Sequence, residues 1–530
     1  MSDTTYNIRI LPHGRQIETK SGKALMESLM NKNIFLRADC GGKGKCKKCQ
    51  VKIIGENNEF ALKEACRFFV SGDITIDIPE TSMLSPHIIN KAPASLPENF
   101  QTKFKISDTE DCYGIAVDLG TTTIAVYLCN TATGQILSSL SVKNPQALYG
   151  DDVMSRIGEI NKDKKNLRQL QRLVVKAIEW GIKSLIKSFD FEKNSISQMV
   201  AVGNPTMIHI FTGIDPQSIG ISPYLPAFYE AKKILSKDLG FKAGHFPIQI
   251  LPQVSGFIGG DILSAAIAAD LENQTDGTLL IDLGTNGELL LKANNNFYAT
   301  SCATGPAFEG ASISCGMQAI PGAVNKVQIK KQGALPEYTL INPSESSRSK
   351  PLGICGSGVI SAVAQFCEKN IIEPDGAFKK NIMVPALKKN SSGKMQYNIV
   401  PDDSSQNGSY VYISQKDIRS VQLGKAALIT GIEFLLKEAN IDKPEKIVTA
   451  GAFGSFLDKN DMMTLGMIPT MDITKIETAG NLAGVGAVMT LCDKIYLEKV
   501  THIAEQIKVV DLACNQNFQA AFIQRLSFPF

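Results

Sequence analysis

One strand–turn–strand pattern occurs twice in this chain of 530 residues, and it constrains the fold more than any other feature of the sequence. GIAVDLGTTTIAVYL spans residues 114–128 and TLLIDLGTNGELLLK spans residues 278–292, so an Asp-Leu-Gly-Thr core recurs 164 positions later. Stretches with helical spacing, such as residues 166–189, lie between the two copies. This alternation of strands and helices predicts an α/β protein with two halves of related structure.

The chemistry of the repeated turn indicates phosphate binding. Backbone N–H groups and hydroxyls of a Gly/Thr turn can hold phosphate oxygens, and the adjacent aspartate can hold a hydrated Mg²⁺ ion. A single turn of this kind could be an ordinary hairpin, but the second copy weakens that explanation. We therefore expect two facing hairpins that clamp a triphosphate. The residues assigned to them are Asp118, Gly120, Thr121, Thr122, Thr123, Asp282, Gly284, Thr285, Asn286 and Gly287.

Two later segments are rich in glycine and small residues. Residues 447–458, IVTAGAFGSFLD, predict a strand that leads into a Gly-rich turn and a helix. Such a turn can pack its backbone against an adenosine, which assigns Gly451, Gly454 and Ser455 to nucleotide binding. Residues 477–489, ETAGNLAGVGAVM, predict a helix of small residues that suits close helix packing at a hinge.

Four of the twelve cysteines lie close together, at Cys40, Cys46, Cys49 and Cys66. Thiolates spaced C-x5-C-x2-C and followed by a fourth cysteine can ligate a [2Fe–2S] cluster, and the glycines of the GGKGK loop let the backbone pass near the sulfurs. Zinc is the main alternative because four thiolates also suit it. A zinc site would usually have a second C-x2-C or an H-x3-5-H pair, which the sequence lacks. Structural cysteines without a metal are the remaining alternative.

These cysteines belong to a β-rich N-terminal segment. Apolar alternation predicts one helix near residues 23–32 and strands at 6–11, 16–19, 50–54 and 73–79. The segment that follows is polar and contains three prolines, as expected of a linker. We therefore expect a metal-binding domain at 1–80, a linker at 81–112, and a nucleotide-binding part with two related halves at 113–530.

Charge and hydropathy limit the classes of partner. The chain has 55 Lys and Arg against 52 Asp and Glu, and this net charge of +3 does not call for a nucleic acid or an acidic membrane. The sequence has no signal-peptide pattern and no apolar run of about 18 residues, so we expect a cytoplasmic protein. The sequence leaves open whether the protein forms a homodimer. The cysteine-flanking lysines are either a solvated loop face or a docking site for an acidic, low-potential electron donor protein. They are Lys43, Lys45, Lys47 and Lys48.

The motifs of both parts resemble known families. ADCGGKGKCKKC and ACRFFVSGDITIDIP resemble the adrenodoxin-like [2Fe–2S] ferredoxins, which implies a β-grasp domain. The nucleotide motifs, taken in order, resemble the acetate and sugar kinase/heat-shock protein/actin superfamily. The implied fold class is α/β, with an N-terminal β-grasp ferredoxin-like domain followed by a two-lobed ribonuclease-H-like (actin-like) ATPase. In the sugar-kinase branch, an Asp at the place of Asp261 is the catalytic base; a helix N-cap is the alternative.

The combination of the two parts narrows the resemblance further. The motifs YGDDVMSRI, GNPTMIHI, LPQVSGFIGGDI, ATGPAFEGASISCGM, GICGSG and QLGKAALITGI, behind a ferredoxin-like segment, resemble the reductive activators of corrinoid proteins. The resemblance implies an ATP-dependent enzyme that reduces the Co(II) corrinoid of a partner protein to Co(I), with electrons passed through a [2Fe–2S] cluster. Two alternatives stay open: an ATP-gated electron donor to another metalloenzyme such as a dehydratase, and a sugar-type kinase or scaffold with a redox-sensing ferredoxin domain.

Overall fold

The structure is a computed structural model, and no helix among the residues that it describes is long and apolar enough to cross a membrane. It describes the chain with the exception of residues 1–3, 13, 33, 35, 37–41, 43, 45–46, 48, 56–58, 80–81, 84–95, 102–111, 151, 190–195, 243, 311–312, 318, 342–349, 402–404, 406–409 and 452–455.

The N-terminal part is a five-stranded sheet with one packed helix. Its elements are β1 (Thr5–Leu11), β2 (Arg15–Lys20), α1 (Leu25–Met30), β3 (Gln50–Ile54), β4 (Phe60–Glu64) and β5 (Ile74–Asp77), and the short helix α2 (Glu98–Gln101) follows. The strand order is β2-β1-β5-β3-β4, with β1 parallel to β5. The predicted strands and helix are confirmed. The pattern misses β4 because this edge strand is largely exposed and shows no apolar alternation.

The first lobe is built on a six-stranded sheet. Its elements are β6 (Tyr113–Leu119), β7 (Thr123–Asn130), β8 (Gln135–Lys143), α3 (Val153–Lys162), α4 (Lys165–Phe189), β9 (Ile196–Val202), α5 (Pro205–Thr212), β10 (Lys232–Leu235), β11 (Pro247–Ile250) and α6 (Gly260–Ala268). The strand order is β10-β11-β9-β6-β7-β8. Val174, Ile178 and Ile182 recur at helical spacing along α4 and cover the sheet at Val126.

The second lobe has a six-stranded sheet and two small sheets. Its elements are β12 (Thr278–Leu283), β13 (Gly287–Ala293), β14 (Asn296–Cys302), β15 (Ala323–Gln328), β16 (Glu337–Leu340), β17 (Gly353–Ile354), α7 (Gly356–Glu368), β18 (Leu387–Lys389), β19 (Met395–Val400), β20 (Val411–Ser414), α8 (Gln415–Glu438), β21 (Lys446–Ala450), α9 (Lys459–Thr464), β22 (Ile476–Thr478), α10 (Leu482–Cys492), α11 (Ile495–Gln506), β23 (Ile507–Val509) and α12 (Phe518–Gln524). The large sheet has the order β22-β21-β12-β13-β14-β23.

The duplication expected from the sequence is present in the strand order. β6 and β12 each pair antiparallel with the next strand of their hairpin. On its other side each has a parallel neighbour, β9 in the first lobe and β21 in the second. The order β9-β6-β7-β8 is thus matched by β21-β12-β13-β14. Asp118 and Asp282 occupy matching places, next to the last residue of their strands.

Two helices of small residues, α6 and α10, pack closely between the lobes. A Cβ on Gly486 of α10 would lie 1.9 Å from the carbonyl oxygen of Ser264 in α6, and one on Gly484 would lie 2.4 Å from the hydroxyl of Tyr127. Apolar residues of both helices share one core with residues of both large sheets, such as Ala116 and Leu280. The small residues thus let the helices approach at the place where the two lobes meet.

The N-terminal part packs against the first lobe. Leu173 of α4 belongs to its apolar core, and the carbonyl of Asn31 accepts hydrogen bonds from Arg172 and Lys176 of α4. The expected linker is itself anchored to the rest of the chain. Phe100 is fully buried, with its ring 5.6 Å from the ring of Tyr496 in α11.

Candidate functional site

The first predicted phosphate turn is held by tight backbone contacts. A Cβ on Gly120 would lie 2.6 Å from the carbonyl oxygen of Thr123, so glycine is required for this turn. The Asn144 side chain donates a hydrogen bond to the carbonyl of Gly120, at 2.9 Å, and its backbone N–H donates to the carbonyl of Thr122. The side chain of Asn204 donates to the hydroxyl of Thr121, at 3.0 Å.

The second predicted phosphate turn faces the first. In this turn the N–H of Gly284 donates to the carbonyl of Asn286, and Gly287 begins β13. The hydroxyls of Thr122 and Thr285 are 2.9 Å apart, so the two turns touch. The hydroxyl of Thr285 also donates to Glu309 Oε1, at 3.3 Å. Glu309 lies within the ATGPAFEGASISCGM motif. The sequence pattern did not assign it to the site, because only the fold brings it to the turn.

Four carboxylates lie where the lobes meet: Asp118, Asp261, Asp282 and Glu288. Burial and, to a smaller degree, the charge of Asp282 raise the pKa of Asp261 to about 7. Burial, followed by the charges of Asp261 and Asp282, raises the pKa of Glu288 well above its usual value. Like charges crowded in a poorly solvated place favour a bound cation, because the cation offsets their repulsion.

The carboxylates do not themselves form a complete metal shell. Within the described part of the chain, no group of three or more His, Cys, Asp or Glu is arranged to hold a metal ion. Mg²⁺ usually keeps several waters and binds to one or two carboxylates together with substrate phosphates. The predicted pair Asp118 and Asp282 can supply those carboxylates.

Asn481 is a site residue that the sequence analysis missed. Its side-chain amide donates to Asp118 Oδ2, at 2.8 Å, and to the hydroxyl of Tyr127, at 2.9 Å. Its amide oxygen accepts from the N–H of Gly484 and so caps the start of α10. The helix begins at Leu482 and not at residue 477 as predicted, and an Asn just before the run of small residues is the signal that could have identified the cap. Its contact with Asp118 depends on the fold.

Asp261 lies in the first turn of α6. The N-cap of this helix is Gly259, so the alternative assignment of Asp261 as the N-cap is wrong. Its Oδ1 accepts a hydrogen bond from the N–H of Ile262, at 2.9 Å, which fixes the orientation of the carboxylate.

Gly451, the first residue of the predicted adenosine-binding turn, lies beside the second predicted phosphate hairpin. Gly451 has a φ of 91°, and a Cβ there would lie 2.6 Å from Asp282 Oδ1 and 2.4 Å from the carbonyl oxygen of Leu283. Glycine is therefore required for both conformation and space. Gly454 and Ser455 lie outside the described residues.

Two of the four predicted metal-ligating cysteines are described, and they are adjacent. The Sγ atoms of Cys49 and Cys66 are 3.4 Å apart. Gly42 and Gly44 have φ values of 77° and 70°, and a Cβ on Gly44 would lie 2.8 Å from Arg67 Nε. Paired thiols beside a tight Gly-rich turn fit a ligated metal centre. Cys40 and Cys46 lie outside the described residues, as do Lys43, Lys45 and Lys48 of the lysine group.

Comparisons with known proteins identify relatives of nearly the whole chain. Residues 276–530 match the family described as the C-terminal domain of RACo, the ASKHA domain, and residues 113–274 match the RACo middle region. ASKHA is the acronym of the acetate and sugar kinase/heat-shock protein/actin superfamily, so the actin-like ATPase fold is confirmed for this part of the chain.

Three individual proteins are similar over most of their length. The chain is 28% identical to the corrinoid activation enzyme RamQ of Eubacterium limosum, over 92% of this chain and 93% of RamQ. It is 25% identical to the [Co(II) methylated amine-specific corrinoid protein] reductase of Methanosarcina barkeri, over 78% and 77% of the two chains. A solved structure, the reductive activator for corrinoid, iron-sulfur protein, matches 99% of this chain and 98% of its own, with 27% identity and a TM-score of 0.73.

Proposed function

The chain belongs to the reductive activators of corrinoid proteins, and from this premise we propose that it reduces the inactive Co(II) corrinoid of a partner protein to Co(I) at the expense of ATP. The observation that carries the proposal is the pair of facing hairpins, joined at Thr122 and Thr285 near four buried or half-buried carboxylates, in one chain with the adjacent thiols of Cys49 and Cys66. One chain thus contains a nucleotide clamp and a candidate electron carrier.

The nucleotide clamp assigns a role to each residue of the hairpins. The turns at Gly120–Thr123 and Gly284–Gly287 would hold the phosphates, and Asp118 and Asp282 would hold a hydrated Mg²⁺ that offsets phosphate charge. Gly451, Gly454 and Ser455 would pack against the adenosine. With Oδ1 held by the N–H of Ile262, Asp261 can use Oδ2 to orient a water and accept its proton.

The N-terminal part would act as the electron carrier. We assign residues 1–80 to a β-grasp ferredoxin-like domain, residues 81–112 to a linker and residues 113–530 to the ATPase. Cys40, Cys46, Cys49 and Cys66 would hold a [2Fe–2S] cluster, which supplies one-electron transfer. The paired thiols and the left-handed glycines beside them support this assignment. A low-potential electron donor protein would then reduce the domain before each activation.

The need for ATP follows from the energetics of the electron step. A one-electron transfer that is uphill by about 150 mV is unfavourable by about 3.5 kcal/mol, at ~59 mV per tenfold change in the equilibrium constant. Binding or hydrolysis of ATP can supply that free energy if it favours a conformation of the complex in which the cobalt is easier to reduce. The shared packing of α6 and α10 between the lobes offers a place where such a change of conformation can occur.

The proposal is tested by anaerobic spectroscopy of the full chain with a corrinoid protein and a chemical reductant. We expect the Co(I) absorption band to rise with MgATP and not without it. The Asp282→Asn chain should fail because it lacks ATP use, and the Cys66→Ala chain should fail because it lacks the electron carrier. Equal formation of Co(I) with and without MgATP would reject the coupling, and the electron-carrier function alone would remain.

A further inference from the structure

Arg156, in the motif YGDDVMSRI, is a fully buried cation that the nucleotide site does not use. Its guanidinium donates to the carbonyl of Thr121 at 2.6 Å, to Gln146 Oε1 at 3.0 Å and to the carbonyl of Gly150 at 3.1 Å. It also contacts Met207 Sδ at 2.9 Å. Burial of a guanidinium is unfavourable unless its N–H groups find acceptors, so these bonds fix both Arg156 and the segments that accept them.

One end of this set of contacts is the first phosphate turn. Thr121 lies within the turn, its carbonyl accepts from Arg156, and its hydroxyl accepts from Asn204. Asn144 connects the same turn to the segment that contains Gln146, because its side-chain amide donates to Gly120 and its side-chain oxygen accepts from the N–H of Gln146. A shift of the phosphate turn therefore moves acceptors that Arg156 holds.

The other end is the contact with the cysteine loop. Gln146 belongs to the 3₁₀ turn Pro145–Leu148, and its side chain also donates to the carbonyl of Leu170 in α4. Leu148 packs against the apolar core of the N-terminal part. A Cβ on Gly42 would lie 3.3 Å from Leu148 Cδ2 and 3.9 Å from Cys66 Cβ. The turn that Arg156 holds thus touches the loop that carries the predicted cluster ligands.

We infer that Arg156 is a positioning residue for the activation reaction, which couples the occupancy of the first phosphate turn to the packing of Leu148 against Gly42 and Cys66. The inference rests on the proposed function. The planar guanidinium can donate to Thr121 and Gln146 at once, so the two segments move as one unit. A lysine has a single ammonium on a flexible stem and cannot reproduce this rigid fork.

The test is hydrogen–deuterium exchange of the full chain, with its cluster, with and without a non-hydrolysable ATP analogue and Mg²⁺. In the unaltered chain we expect the analogue to change the exchange of peptides that contain Cys49 or Cys66. In the Arg156→Lys chain this change should be lost, while iron content and binding of the analogue persist. The matched control is Arg172→Lys. Arg172 donates to the carbonyl of Asn31 where the N-terminal part packs against the first lobe, and among the described contacts none joins it to the phosphate turn.

A second variant, Leu148→Ala, protects the test against misfolding of the Arg156→Lys chain. Since Leu148 carries no charge and is only partly buried, the chain should fold, and the nucleotide-dependent change at Cys49 and Cys66 should again be lost. Persistence of that change in either folded variant overturns the inference. If the unaltered chain shows no such change yet forms Co(I) with MgATP, the inference is wrong and the proposed function stands. If it binds no ATP, both are wrong.

Discussion

The hydroxyls of Thr122 and Thr285 lie 2.9 Å apart although 163 positions separate them in the chain. Each belongs to one copy of the duplicated hairpin, so the contact joins the two lobes at the predicted phosphate-binding turns. When ATP binds, a phosphate oxygen can replace each threonine hydroxyl as the hydrogen-bond partner of the other. We therefore expect nucleotide binding to replace this contact.

The first prediction concerns these two hydroxyls. Thr122→Val and Thr285→Val keep the side-chain shape and remove one hydroxyl each, and hydrogen bonds to charged groups contribute about 1.5–3 kcal/mol. We expect each chain to bind MgATP about 10- to 100-fold more weakly, as measured by titration calorimetry. Thr339→Val is the control, since Thr339 is bonded to Asn325 on the surface. Unchanged affinity in both hairpin variants would contradict a phosphate-binding role.

The second prediction separates the three aspartates of the site. Asp118→Asn and Asp282→Asn should weaken MgATP use because they remove charge that holds the metal. Asp261→Asn should retain ATP binding and lower turnover, because Asp261 is proposed to act on the attacking water. Binding and ATPase assays on the same preparations distinguish the two effects. Full turnover in the Asp261→Asn chain would leave this residue with a purely structural role.

The third prediction extends the site to Asn481. Asn481→Ala removes the donor to Asp118 Oδ2 and the cap of α10 together, so lower ATPase activity alone would be ambiguous. Asn481→Ser retains a capping side chain but is too short to reproduce the bond to Asp118. We expect the serine variant to be at least as thermally stable as the alanine variant and to lose as much ATPase activity as that variant does. Recovery of activity by serine would assign Asn481 to capping alone.

The fourth prediction concerns the close helix contact between the lobes. A Cβ on Gly484 would lie 2.4 Å from the Tyr127 hydroxyl, so Gly484→Ala should lower the free energy of unfolding by about 1–3 kcal/mol through overpacking. Gly158→Ala is the matched control, because among the described residues no atom outside the backbone of α3 and the two neighbouring residues lies within 4 Å of the added methyl. That variant should be more stable by about 0.5–1 kcal/mol. Denaturant unfolding measures both, and equal effects would contradict the packing argument.

The fifth prediction is a loss of stability in acid that originates at His209. Its Nε2 accepts from the N–H of Ala227 at 2.8 Å, and its Nδ1 therefore donates to the carbonyl of Pro205 at 2.6 Å, which fixes the neutral ring. Burial lowers the pKa of His209 below its usual value, and nearby Lys232 adds to this effect. The unfolded chain thus binds the proton more readily, so this stability is present above pH ~6.5 and is lost as pH falls toward the lower folded pKa.

Urea unfolding of the unaltered and His209→Gln chains between pH about 5 and 8 measures this effect. The variant should be less stable at pH 8 but should have a flatter dependence on pH. His502→Gln is the control, because it removes a histidine that lies exposed on α11. A steep slope that persists without His209 would place the acid sensitivity at another group.

The sequence by itself determined the architecture of this protein and the residue types of its site. The repeated Asp-Leu-Gly-Thr hairpins specify two related sheets, because local strand patterning and a Gly turn are encoded within about 15 residues. The four cysteines and the small residues of α10 were likewise visible as local patterns. The roles assigned to the site residues remain predictions, and Cys40, Cys46, Gly454 and Ser455 also lie outside the described residues.

Only the tertiary structure decided which of these residues meet. The contacts of Thr122 with Thr285, of Asn481 with Asp118, and of Leu148 with the loop at Gly42 each join segments more than a hundred positions apart. No local pattern records such a distance, because it is set by how the two lobes and the N-terminal part pack together. The burial of Phe100 within the expected linker, and the raised pKa of Asp261 beside Asp282, arise from the same packing.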